Sequence, residues 1–118
     1  MILVIGGHAA GKKDWVKHTM HYEDSRIAEG VLDQRPVLNS LQMLVLHCIR
    51  QGDEPQRLLP WLLEKQVVVC DEMGCGVVPV DEVQNRLREE TGRLCVLLAQ
   101  HAEKVVRITC GIPQVIKG

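Results

Sequence analysis

The sequence predicts an α/β protein built on a mainly parallel sheet. Three observations carry that expectation. Strand-length apolar runs occur at Ile2–Ile5 and Val67–Cys70, and Val105–Cys110 reads as a third strand. Helix-like segments alternate with them. A Gly-rich turn joins the first run directly to the first helix. Continuous rather than alternating apolar runs suit strands buried on both faces of a parallel sheet. Strands alternating with helices imply right-handed crossovers.

Taken in order, Ile2–Ile5 is the first strand, and residues 11 to about 21 form a helix with Trp15, Val16 and Met20 as apolar positions. Residues 22–30 are polar and poorly periodic and read as loop. Val31-Leu32-Asp33 reads as a short strand ending in a carboxylate. Pro36 breaks the chain, and Asn39 or Ser40 can cap the next helix. That helix runs to Gln51, is ended by Gly52, and is apolar almost all round, which predicts burial. Pro55 opens a further helix carrying Leu58, Leu59, Trp61, Leu62 and Leu63. After the Val67–Cys70 strand, Asp71–Pro79 is a Gly-rich loop. A long helix follows from Asp81 to about Ala102. The last strand of the core stops at Gly111 and Pro113, and Val115-Ile116 reads as a short final strand.

The length, 118 residues, fits one domain spanning 1–118. With no Phe and one Tyr, the core must come from Val, Leu, Ile, Met and Ala, with Trp15 and Trp61 as the large exceptions. The formal net charge is −1, and basic and acidic residues are interspersed. Binding to a nucleic-acid backbone needs clustered Lys and Arg, so nucleic acid is not an expected partner. No apolar run approaches the roughly 20 residues of a membrane span. No signal-peptide pattern opens the chain, so the expected location is cytoplasmic. The five cysteines form no CxxC pair and read as free thiols. Cys70 and Cys75 flank the Gly-rich loop and read as small buried hydrophobes. His18 and His21 lack partners at metal-ligand spacing, so no zinc site is expected.

The residues Gly6, Gly7, His8, Ala9, Ala10, Gly11 and Lys12 match the first seven positions of G-x-x-x-x-G-K-[ST]. Glycines let the backbone curl so that N–H groups point inward at a phosphate. The helix N-terminus adds partial positive charge, and Lys12 adds a full one. The eighth position is Lys13, where Ser or Thr would offer a hydroxyl to Mg²⁺. A carboxylate at a second strand end would help hold such a metal, and Asp33 and Asp71 are the two candidates. On the long helix, Arg86, Glu89 and Arg93 are spaced for intrahelical ion pairs on a solvated face.

The segment from Val67 to Pro79 resembles the strand and loop "VVLVSNEVGxGIVP" of the adenosylcobinamide kinase/adenosylcobinamide-phosphate guanylyltransferase family of cobalamin biosynthesis. Arg88-Glu89-Glu90-Thr91-Gly92-Arg93 resembles its "RDxxGRxNQ" segment, and Val105–Ile112 its closing "VxLVVxGI" strand. The opening Met1–Gly7 with Gly11-Lys12 is similar to its "ILVTGGxxSGKS" start. The resemblance covers residues 1–13 and about 66–117. Departures are Lys13 for the family's Ser, Asp71 for Asn, Glu89 for Asp, and Cys95-Val96 for Asn-Gln. The family's "RIxxHxxxR" histidine segment has no match here; His18, His21 and His47 are the substitutes to weigh.

The resemblance implies a P-loop NTPase-like three-layer sandwich with GTP or ATP at Gly6–Lys13. It implies phosphorylation of a corrinoid hydroxyl, then guanylyl transfer to that phosphate, in a homo-oligomer. Lys12 would stabilise the transferred charge, and Asp33 or Glu72 would organise metal or substrate hydroxyl. Glu72, Gly74, Gly76, Pro79, Arg88 and Arg93 would lie beside the substrates. Lys13 keeps a second reading open: a nucleotide- or corrinoid-binding regulatory protein that has lost its metal site.

Overall fold

The computed structural model describes residues 1–72 and 81–118. The expectations placed on Gly74, Cys75, Gly76 and Pro79 lie outside the described residues. The elements are β1 (Ile2–Gly6), α1 (Lys12–Met20), β2 (Ile27–Glu29), β3 (Val37–Asn39), α2 (Leu41–Arg50), α3 (Leu59–Leu63), β4 (Val67–Asp71), α4 (Glu82–His101), β5 (Lys104–Thr109) and β6 (Ile112–Lys117). They build one six-stranded sheet in the order β2-β3-β4-β1-β5-β6. The first five strands pair in parallel, and β6 turns back antiparallel along β5.

Apolar side chains leave both faces of the sheet, which is why the strand runs are continuous. One face carries Val4, Val67, Val69, Val106 and Ile108, covered by Val16, Trp15 and Met20 of α1. The other carries Leu3, Leu38, Val68, Cys70 and Val105. It is covered by Leu41, Val45 and Ile49 of α2, Leu62 of α3, and Leu94 and Leu98 of α4. The result is three layers, helix on sheet on helix. Each fully buried Val or Leu contributes roughly 1.5–3 kcal/mol of transfer free energy, so these two interfaces dominate folding.

Several sequence expectations change. The short strand is not Val31–Asp33 but β2, inside the segment that reads as loop, and β3 was not anticipated. Both are three-residue strands, too short for periodicity to register. Ser40 does sit at the α2 N-cap, but in a left-handed conformation with no side-chain capping bond. Asn39 belongs to β3. Trp61 is 58% exposed rather than in the core, and α2 leaves Met43 54% exposed on its outer side. On α4, Arg93 pairs with Glu90 and Arg86 with Glu54, so Glu89 is not the partner that spacing suggests. Asp81 caps α4, accepting a hydrogen bond from the Gln84 N–H at 2.7 Å.

The C-terminal tip of β1 is pressed closely against β5. A Cβ on Gly6 would lie 2.4 Å from the carbonyl oxygen of Ile108 in β5. That oxygen is backbone and cannot rotate away. Gly6→Ala should therefore destabilise the chain by about 1–3 kcal/mol, the usual cost of overpacking. Denaturant unfolding of the two chains measures the difference; equal midpoints would show that β1 and β5 separate without strain.

Candidate functional site

Parallel strands present their carboxyl ends along one edge of the sheet, where open α/β folds bind ligands. Here that edge reads Glu29, Asn39, Asp71 and Gly6 across β2, β3, β4 and β1. The register pairs Glu29 with Asn39, and Asp71 with Gly6. Between Gly6 and α1 the chain forms the predicted loop. The Ala10 N–H bonds back to Gly7 O at 3.2 Å, and Gly11 caps α1 at φ 89°, a left-handed value that favours glycine. The Gly111 N–H donates to Ala10 O at 2.8 Å, tying the loop to the β5–β6 turn. The first N–H groups of α1 have no acceptor within the helix and carry its positive end. They open on a cavity of about 570 Å³, lined by residues 8–14 with Asn39, Ser40, Gln42, Met43 and Asp71.

Lys12 is 6% exposed. Its ammonium donates to Gly7 O at 2.6 Å and pairs with Asp71 Oδ1 at 2.7 Å. The other Asp71 oxygen lies 3.3 Å from His8 Nδ1. The Asp71 N–H donates to Gln42 Oε1 at 3.2 Å, which positions α2 against the strand tip. Lys13 takes a different partner, Glu29 Oε1, at 2.5 Å. That hydrogen bond is the main cause of the raised Lys13 pKa. Asn39 donates to Glu29 Oε2 at 2.8 Å. Lys12 and Lys13 are thus assigned to two different carboxylates.

The expected residues divide accordingly. Gly6, Gly7, His8, Ala9, Ala10, Gly11, Lys12, Lys13 and Asp71 come together. Glu72 sits one residue beyond the β4 tip, clamped by Arg107 through contacts of 2.8 Å to each oxygen. Its N–H donates to Gly6 O at 2.8 Å, so it braces the loop from beneath. Arg88 bonds Asn85, and Arg93 pairs with Glu90, both on α4; neither lines the loop cavity. Asp33 is not brought to the loop. It accepts from Arg35 N–H at 2.9 Å and from the Arg35 guanidinium, lining a separate cavity with Trp61 and Lys65. Lys65 donates to the carbonyls of Asp33 and Arg35, which fixes this turn as structure. Of the histidines weighed, His47 lines a groove of about 720 Å³ with Val31, Leu32, Leu44 and Arg50. That groove shares Ser40 and Met43 with the loop cavity.

Sequence reading missed Glu29, Asn39 and Gln42. Glu29 fell in apparent loop, and Asn39 read as a cap. The signal available for β3 was the Val37-Leu38 pair after Pro36. Among the thiols, a hydrogen bond with Cys95, then burial, pushes Cys70 well above its ordinary range. It stays protonated and packs, as expected.

Among the described residues, the donor set around the loop does not fit a protein-held Mg²⁺. The hydroxyl position carries Lys13, Asn39 is neutral, and Asp71 is committed to Lys12. Among the described residues, no group of three His, Cys, Asp or Glu could hold a metal.

A mostly parallel sheet with a Gly-rich strand-to-helix loop at its carboxyl edge places the chain in the P-loop NTPase-like class. The family model for cobinamide kinase / cobinamide phosphate guanyltransferase matches residues 37–116, and the chain belongs to that family. A curated relative, the bifunctional adenosylcobalamin biosynthesis protein CobP of Pseudomonas aeruginosa, is 34% identical over 76 residues. The match covers 56% of this chain and 44% of that relative. This chain therefore spans less than half of the relative it matches. No described helix is long and apolar enough to cross a membrane.

The Asp33 turn yields a titration prediction. Hydrogen bonds from Arg35 lower the Asp33 carboxyl from 3.8 to about 2. The pairing's contribution is complete above the ordinary carboxylate pKa and is lost as pH falls through about 2. Carboxyl-carbon NMR should place the Asp33 midpoint there, and Arg35→Ala should return it toward 3.8.

Proposed function

We propose that the chain binds the phosphates of GTP or ATP at Gly6–Lys13 and serves phosphoryl transfer to a corrinoid hydroxyl. The observation that carries this reading is the buried Lys12 ammonium at the mouth of the α1 N-terminus, inside a cavity at the sheet's carboxyl edge. Family membership supplies the reaction class; the loop supplies the chemistry that such a transfer needs. Phosphoryl transfer depends on positioning and on neutralising charge spread over the phosphate oxygens. The α1 N–H groups and Lys12 are preorganised donors for that charge.

The neighbouring groove is the proposed seat of the acceptor. Val31, Leu32, Met43 and Leu44 offer apolar surface to a large, mostly hydrocarbon ligand, and His47 and Arg50 offer polar contacts at its margin. Sharing Ser40 and Met43 with the loop cavity, the groove can deliver an acceptor hydroxyl to a bound phosphate. Guanylyl transfer to the new phosphate would complete the family's sequence. A homo-oligomer is part of the proposal. Strand β6 is exposed along its whole length, with Ile112, Val115 and Ile116 outward, a surface that a second copy would cover.

Titration calorimetry with GTP and ATP, with and without Mg²⁺, tests the site. Wild type should bind, and Lys12→Ala should lose at least about tenfold in affinity while its circular dichroism is unchanged. Equal binding by both chains, or none by wild type, would refute the assignment. Sedimentation velocity tests the assembly: Ile116→Lys should shift an oligomeric wild type toward monomer.

A further inference from the structure

The loop meant to receive a phosphate already holds an anion of its own. Asp71 Oδ1 lies 2.7 Å from Lys12 Nζ, and the second Asp71 oxygen faces His8 on the loop itself. The backbone that carries Asp71 is fixed in place. Its N–H is bound by Gln42, and the next residue is tied by its N–H to Gly6 O and by its carboxylate to Arg107. Asp71 lies in the β4–β1 register beside Gly6, the residue that starts the loop.

A carboxylate and a phosphate oxygen are alike as acceptors from an ammonium. Lys12 has three N–H donors, and Gly7 O and Asp71 already engage it. An arriving phosphate can take the third N–H, and it then shares the ammonium charge with Asp71 or displaces that carboxylate. It also meets the Asp71 charge at close range across Lys12, so the two anions repel. We infer that Asp71 is a built-in competitor for Lys12, which holds the lysine in the ligand-free chain and limits how tightly the loop takes phosphate groups. This inference rests on the phosphate-binding reading of Gly6–Lys12. It assigns Asp71 a role in setting affinity through Lys12, as a positioning residue.

Pyrophosphate in EDTA is the probe, because it carries the charge without a base, a sugar or a metal. Calorimetry compares the full-length wild type, Asp71→Asn, Lys12→Ala and the double variant. Asp71→Ser removes the same charge and serves if the Asn chain folds poorly; circular dichroism and thermal midpoints check each. Asp71→Asn should bind pyrophosphate about tenfold more tightly than wild type, and the gain should vanish in the Lys12→Ala background. If Lys12→Ala weakens binding but neither Asp71 variant strengthens it, the loop binds phosphate and the competitor role is wrong. If the gain survives without Lys12, it is not exerted through the lysine, and the inference fails. If no chain binds pyrophosphate, the phosphate-binding reading falls and the inference falls with it.

Discussion

The site depends on β1 lying between β4 and β5 with its last residue pressed against a neighbouring backbone. Gly6 pairs with Asp71 on one side and Ile108 on the other. The room for this exists only because Gly6 has no Cβ. From that point the chain turns through the loop into α1, whose first residues line the cavity at the sheet edge. The Glu72 N–H and the Gly111 N–H then anchor the loop from β4 and from the β5–β6 turn. The phosphate binding we propose for this loop requires donors held still before the ligand arrives. Here the backbone of three strands supplies that rigidity.

The electrostatics of the edge follow from the same register. Two lysines leave the first turn of α1, and two carboxylates stand at strand tips, Asp71 on β4 and Glu29 on β2. Each lysine takes one carboxylate. Lys13 is partly exposed, and Asn39 also binds its carboxylate partner, so Glu29 ties together two residues that line the cavity. Lys12 is buried, and its pairing lies where a ligand charge would sit. The positive potential of the helix end is therefore balanced within the chain. A ligand must offer Lys12 and the loop donors more than Asp71 already does.

Family membership and local geometry contribute different things. The matched region begins at Val37, so it takes in β3, β4, α4 and the closing strands but not the loop. The loop's case stands on its own pattern and on its position. Conversely, nothing in the loop points to a corrinoid; that comes from the family alone. The departures visible in the sequence acquire meaning only in three dimensions. Lys13 is turned to Glu29, a residue that the sequence placed in no element. Asp71, a candidate acid at a strand end in the sequence, is the counter-ion of Lys12 in the fold. Asp33, equally acidic and also a candidate, is held by Arg35 and Lys65 at another cavity.

What the sequence determined by itself was the part of the fold set by neighbours along the chain. Strand runs such as Ile2–Ile5 and Val67–Cys70, helical periodicity over Glu82–His101, and the strand–glycine–helix order of Gly6–Lys12 are local patterns, legible because period and turn chemistry are local. The three-residue strands β2 and β3 were not, since their pairing energy comes from strands elsewhere in the chain. Tertiary structure alone decided which ionisable groups meet. Lys12 and Asp71 are far apart in sequence, and either could have been a solvated surface charge. Parallel pairing of β1 with β4 puts their tips side by side, and burial of Lys12 makes that contact count.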